Sequence, residues 1–172
     1  MPLFQHPIIE HIPSLRRYAR ALTGGRPEDA DDLVQDTLER AYAKWHLWKM
    51  GATLRPWLFS IMHNLYMNQM ALLKTCVNHA SLDEVPDIGV AANVDRRLEA
   101  LDIVMAVSCL PANLREVLLL VTVEDFSYAA TAQILDIPIG TVMSRLARAR
   151  QKLRELMNDN LPVSRVDLKV VK

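Results

Sequence analysis

Apolar residues recur along most of this chain at steps of three and four, the spacing that lays one face of an α-helix against a core. Ile8, Ile12, Leu15, Ala19 and Leu22 form the first stripe, and Gly24-Gly25 ends it. Pro27 opens a second helix, at a position where its missing N–H costs nothing. The apolar side of that helix is Ala30, Val34, Leu38, Ala41, Trp45 and Trp48, and Gly51 stops it. Pro56 opens a third, from Trp57 to about Lys74. The period is lost over residues 75–94, which contain Pro86 and Gly89 and read as a linker. A fourth helix is expected over about Asp95–Cys109, with Leu98, Leu101, Val104 and Met105 inward, and a fifth over Ala112–Val123. Strand-like alternation is absent, so the fold class is all-α.

The last two helical patterns are the most telling. Tyr128–Leu135 carries Ala129, Ala132 and Leu135 at helical spacing, and Asp136-Ile137-Pro138 breaks it. Beyond the break Val142, Leu146, Ala149 and Leu153 make an apolar stripe, with Thr141, Arg145, Arg148 and Lys152 beside it. Residues 140–154 hold five bases (Arg145, Arg148, Arg150, Lys152, Arg154) and no acid. A short helix, a tight turn and a basic helix that starts with small polar residues is the plan of a helix-turn-helix DNA reader. Ala129, Ala130, Ala132 and Gly140 suit the close helix crossing that such a pair needs. The tail from Asn158 to Lys172 has no caps and has Pro162 in its middle, so it is expected to be loose.

Charge sharpens this picture. The formal net charge of the 172 residues is zero, which hides a separation. Residues 28–39 hold six acids and no base, opposite in sign to the 140–154 segment. Two faces of opposite sign imply two different macromolecular partners. On the second helix Asp29, Asp32, Asp36 and Glu39 step by three, four and three, so they share a face turned away from the apolar one. Like charges on one face repel, and positive charge on a partner relieves them. On the third helix Arg55, Trp57, Phe59, His63, Asn64, Tyr66 and Asn68 lie close together, with Asn64 and Asn68 on one face. Amides match base edges, and aromatic rings offer stacking surfaces to unpaired bases.

Other chemistry is not indicated. Cys76 and Cys109 lack a paired motif, and Cys76 with His79 is an isolated fragment, so no metal and no cofactor is expected. No cluster of His, Cys, Asp and Glu has catalytic spacing and no glycine-rich phosphate loop is present, so the chain reads as no enzyme, with no small-molecule substrate. Neither a signal peptide nor a long apolar run occurs, and a cytoplasmic location without membrane insertion is expected. By themselves the residues also admit a stand-alone helix-turn-helix repressor or activator. Its N-terminal half would sense a ligand or dimerise, and the acidic stripe would go unexplained.

The stretch DADDLVQDTLERAYAKW, followed by RPWLFSIMHNLYMNQ, resembles region two of bacterial sigma factors. LPANLREVLLLVTVEDFSYAATAQILDIPIGTVMSRLARARQKL resembles region four. Their order, without a middle region, is similar to the extracytoplasmic-function sigma factors, over roughly residues 8–157. The resemblance implies two small helical domains, region two over residues 1–75 and region four over 95–157, joined by a linker at 76–94 and followed by the tail at 158–172.

The resemblance also implies roles. Asp29, Asp32, Leu33, Gln35, Asp36 and Glu39 would dock on the clamp helices of the RNA polymerase β′ subunit, and region four on the β flap. Arg55, Trp57, His63, Asn64 and Asn68 would recognise and melt the −10 promoter element. Thr141, Met143, Ser144 and Arg148 would lie nearest the bases of the −35 element, Arg145 would belong to the same DNA-binding set, and Arg150 and Lys152 would lie nearer phosphates. An anti-sigma factor would restrain the protein. Two positions depart from the family. Met143 stands where many relatives carry Arg or Lys, and it can touch a thymine methyl but not hydrogen-bond a guanine. Residues 71–76 lack the arginines that usually follow the third helix, which implies fewer phosphate contacts and leaves Leu72 and Leu73 to pack on a partner.

Overall fold

The computed structural model describes residues 7–48, 53–77 and 103–160, with side chains over 7–48, 53–73 and 103–157. A 3₁₀ turn at Ile9–His11 leads into α1 (Ile12–Leu22), then α2 (Pro27–Ala43), a second 3₁₀ turn (Trp45–Leu47) and α3 (Leu54–Val77). Helical residues 103–108 are α4, followed by α5 (Ala112–Thr122), α6 (Tyr128–Leu135) and α7 (Ile139–Asn160). No strand occurs among the described residues. Of the expected linker only residues 75–77 are described, and they are the end of α3; of the expected loose tail only residues 158–160 are described, and they are the end of α7.

The helix ends follow local chemistry. Gly24 and Gly25 adopt φ of +70° and +84°, and the Gly25 N–H closes back on the Arg20 carbonyl at 2.8 Å. A left-handed residue there terminates α1 and turns the chain toward α2, a cheap conformation for glycine. Asp136 makes the same kind of stop after α6, at φ +50°, with the Ile137 N–H on the Ala132 carbonyl at 3.0 Å. Ser127 caps α6, its hydroxyl accepting from the Ala130 N–H at 3.1 Å. The left-handed stop and the cap together define the helix-turn-helix.

The core is continuous across both halves of the chain. α2 packs between α1 and α3, α3 also packs on α6, and α5 and α6 pack on α7. An aromatic row makes the junction. Tyr18 of α1 lies 5.2 Å from Phe59 of α3, and Phe59 meets Phe126 edge-to-face at 5.0 Å. Leu15, Leu22, Leu33, Leu58, Met62, Val117, Leu120, Val142 and Ala149 are buried around that row. Each of the larger side chains among them contributes roughly 1.5–3 kcal/mol by leaving water.

Three expected faces are shifted. α2 ends at Ala43 instead of continuing through Trp48, because the chain leaves the helix at Lys44 and turns Trp45 and Trp48 together. Their rings lie 4.9 Å apart, and Trp45 meets Trp57 of α3 at 6.4 Å. On α4, Val104 and Met105 are exposed, whereas Ala106 is buried. On α6, Ala129 is exposed, whereas Thr131, Ile134 and Leu135 are buried. α6 is held by α3 as well as α7, and that second neighbour selects a different face. Leu98 and Leu101, also expected inward, lie outside the described residues.

Candidate functional site

The acidic face of α2 is built as its spacing requires. Pro27 starts the helix after an extended Arg26, and Ala30, Leu33, Val34, Thr37 and Ala41 bury the opposite side. Asp29, Asp32, Gln35, Asp36 and Glu39 are exposed. Asp29 pairs with Arg26 at 2.9 Å, and Gln35 Nε2 donates to Glu39 at 3.0 Å. Among the described residues Asp32 and Asp36 form no ion pair, so their charge is open to solvent. Leu33 corrects the expectation. It is fully buried, so it anchors α2 in the core and cannot meet a partner surface.

The α3 residues divide into two groups. Asn64 and Asn68 are exposed and line a groove of about 270 Å³ with Ile61, Leu65, Arg40 and Lys44. Two amides, two cations and two aliphatic side chains meet there. Arg40 and Lys44 were not singled out from the sequence. Their signal is a basic pair four residues apart at the end of an otherwise acidic helix. Phe59 and Tyr66 are buried core residues, and the Tyr66 hydroxyl donates to the Leu22 carbonyl at 3.3 Å. Trp57 is half-buried against Trp45.

Arg55 and His63 belong to the second group, because both are engaged by the C-terminal half. Glu124 is fully buried in the turn between α5 and α6, and it receives two guanidinium groups. Arg17 of α1 donates to both its oxygens, at 2.9 and 2.8 Å, and Arg55 donates to Oε2 at 2.8 Å. The hydrogen bond to Glu124 raises the Arg17 pKa above its ordinary value. The Arg55 guanidinium also lies 4.3 Å above the Phe126 ring. Nearby, His63 Nδ1 lies 2.6 Å from the buried carboxylate of Glu116 on α5. A buried carboxylate is tolerated only when paired, and removing a partner from such a pair costs about 3–5 kcal/mol.

The basic helix presents the face expected of it. Val142, Leu146 and Ala149 are buried and Leu153 is half-buried. Met143, Ser144, Arg148, Arg150 and Lys152 are exposed, and Thr141 and Arg145 are half-buried at the edge. The Ser144 hydroxyl donates back to the Thr141 carbonyl at 3.1 Å, which leaves its lone pairs outward. No group of metal-binding side chains and no helix long and apolar enough to cross a membrane occurs among the described residues.

Known proteins resemble this chain in both sequence and shape. Residues 8–63 match the family described as the Sigma2 domain of PhyR, and residues 100–153 match Sigma-70, region 4. The chain is 36% identical to the ECF RNA polymerase sigma factor EcfG of Rhodopseudomonas palustris, over 87% of this chain and 82% of that protein. It is 32% identical to the ECF RNA polymerase sigma factor SigM of Mycobacterium tuberculosis, over 86% of this chain and 73% of that one. The fold superposes with a TM-score of 0.73 on the sigma factor RpoE of Bartonella quintana, solved with the anti-sigma factor NepR, at 32% identity over 90% of this chain and 96% of that one. CnrH, solved with the cytosolic domain of CnrY, gives a TM-score of 0.67 at 26% identity, over 90% of this chain and 87% of that one. The chain therefore belongs to the extracytoplasmic-function (ECF) RNA polymerase sigma factors.

Proposed function

We propose that the protein binds core RNA polymerase, directs it to a specific class of promoters and is held in check by an anti-sigma factor, all in the cytoplasm and with no covalent chemistry of its own. Residues 1–75 act as region two and residues 95–157 as region four. Asp32 and Asp36, with Asp29, Gln35 and Glu39 beside them, meet the basic clamp helices of the β′ subunit, while region four meets the β flap. Their exposure on one face supports this contact. Asn64 and Asn68 hold the melted strand of the −10 element, with Arg40 and Lys44 on its phosphates, and Arg55, Trp57 and His63 complete that surface. Met143, Ser144, Arg145 and Arg148, with Thr141, read the −35 element, and Arg150 and Lys152 touch its backbone. The restraint by an anti-sigma factor draws on the likeness to RpoE, which was solved with one. The stand-alone repressor reading accounts for the helix-turn-helix half and leaves the acidic face of α2 unexplained.

The single observation that carries the reading is the groove joining Asn64 and Asn68 to Arg40 and Lys44. Amides on α3 serve a sigma factor only after the duplex opens, because pairing and stacking hide the bases until then. Asn64→Ala with Asn68→Ala is expected to leave core binding and −35 affinity nearly unchanged. Open-complex formation, read as permanganate reactivity of unpaired thymines on a linear promoter, is expected to fall strongly. A pre-melted bubble should relieve the defect only in part, since strand capture is lost as well. Full open-complex formation by the folded double variant would remove both residues from the site.

A further inference from the structure

The outward side of α7 carries two stripes of different chemistry. Ile139, Met143 and Ala147 are four residues apart, so they form one row that turns slowly around the helix. All three are exposed, and the larger two, Ile139 and Met143, keep 48% and 51% of their surface open. Beside that row Ser144 and Arg148, also four apart, are exposed. Val142, Leu146 and Ala149 hold α7 to the core, so the exposed aliphatic row is an addition to the core stripe and not part of it. We propose that Ile139 and Met143, with Ala147, read thymine methyl groups in the major groove of the −35 element, while Ser144 and Arg148 take the hydrogen bonds of neighbouring bases. This rests on the −35 reading of α7.

A single exposed aliphatic residue is ordinary, but the place of this row says what covers it. It occupies the first turns of the second helix of the helix-turn-helix, the end that enters the major groove. Farther along, Arg150 and Lys152 are exposed, and no acid occurs from Gly140 to Arg154, so the same surface attracts phosphates. A duplex seated by its backbone on those bases brings base edges against Ile139 and Met143. In the major groove the apolar group that a base pair presents is the thymine C5-methyl. Its contact with an aliphatic side chain takes both surfaces out of water. A guanine or cytosine edge at the same place loses hydrogen bonds to water and gains none. Met143 suits the contact because an unbranched thioether adapts its shape to a neighbour. Gly140 has no side chain, and nothing lies within 4 Å of the place a Cβ would take, which leaves room for a base edge beside Ile139.

Holoenzyme reconstituted with the full chain tests this. A duplex pool randomised over the upstream element gives the preferred −35 sequence. Each thymine of that element, on either strand, is then replaced singly by uracil, which removes the methyl group and keeps the base pair. At the thymines that face the row, wild-type affinity is expected to fall about fourfold, the worth of one buried methyl group. Met143→Ala and Ile139→Ala are each expected to bind thymine and uracil equally at the position that side chain covers. Met143→Leu is expected to keep the difference, and Met143→Arg to shift the selected base there from thymine to guanine. Both positions are exposed, and circular dichroism checks that the variants fold. A selected element without thymine, uracil without effect at every position, or a thymine–uracil difference that persists in both folded alanine variants overturns the proposal. So does a loss of core binding in those variants with unchanged base preference, which makes the row a protein contact. If the pool yields no preferred upstream sequence, or Arg148→Ala leaves that preference unaltered, the −35 reading itself falls and takes the proposal with it.

Discussion

Arg115 Nη1 of α5 donates to the carbonyl of Leu22, the last residue of α1, at 2.7 Å. The rest of the same guanidinium bonds the carbonyls of Val107, Ser108 and Leu110 at the end of α4. One side chain thereby ties the C-terminal ends of two helices together through their carbonyls. Only a planar group with five fixed donors reaches four acceptors at once.

Arg115→Ala is therefore expected to destabilise the fold by about 3 kcal/mol, the cost of losing four hydrogen bonds and leaving the Ser108 and Leu110 carbonyls without this donor. For a chain of this size that is a fall in Tm of roughly 6–12 °C. Arg115→Lys is expected to recover little, because a point charge cannot serve four carbonyls. Thermal unfolding followed by circular dichroism reads both variants, and a Lys variant as stable as wild type would show that charge alone matters there.

The acidic face and the residue beneath it should separate cleanly. Asp32→Arg with Asp36→Arg is expected to abolish binding to core polymerase while stability stays within about 0.5 kcal/mol, as is usual for exposed positions. Leu33→Ala, between them in sequence but fully buried, is expected to cost about 2–5 kcal/mol and to leave the affinity of the folded fraction for polymerase unchanged. Denaturant titration alongside a core-binding assay distinguishes the two. A folded charge-reversal variant with normal affinity would remove this face from the polymerase contact.

The reading helix separates base contacts from phosphate contacts. Arg148→Ala is expected to weaken recognition of particular upstream bases by about 1–3 kcal/mol if its contact is bidentate. Lys152→Ala is expected to weaken binding to all sequences alike and to flatten the salt dependence. Affinities measured for holoenzyme on a panel of single-base −35 variants give both results. Equal losses by both variants on every sequence would contradict the division.

Much of this molecule is legible in its sequence, for a local reason. Helix periodicity is set by neighbours three and four residues away, so Val142, Leu146 and Ala149 on α7 and Ala30, Val34 and Ala41 on α2 were recognisable as inward residues. The exposure of Asp32 and Asp36 follows from the same arithmetic. So do the helix stops, since Gly24-Gly25, Pro27 and Pro138 act through their own backbones. Leu33 was misjudged because a helix between two neighbours buries more than one narrow stripe. The inward face of α6 differs from the expected one because a second packing partner, α3, chose it.

What only the tertiary structure decided is the junction between the halves. Glu124 finds Arg17 across 107 residues and Arg55 across 69, and His63 finds Glu116 across 53. No periodicity relates residues so far apart, because their meeting depends on how α1, α3 and α5 pack and not on any local repeat. In sequence Glu116 is a lone acid in an apolar helix and Glu124 an ordinary loop acid. Packing makes each of them a buried carboxylate that must be paired.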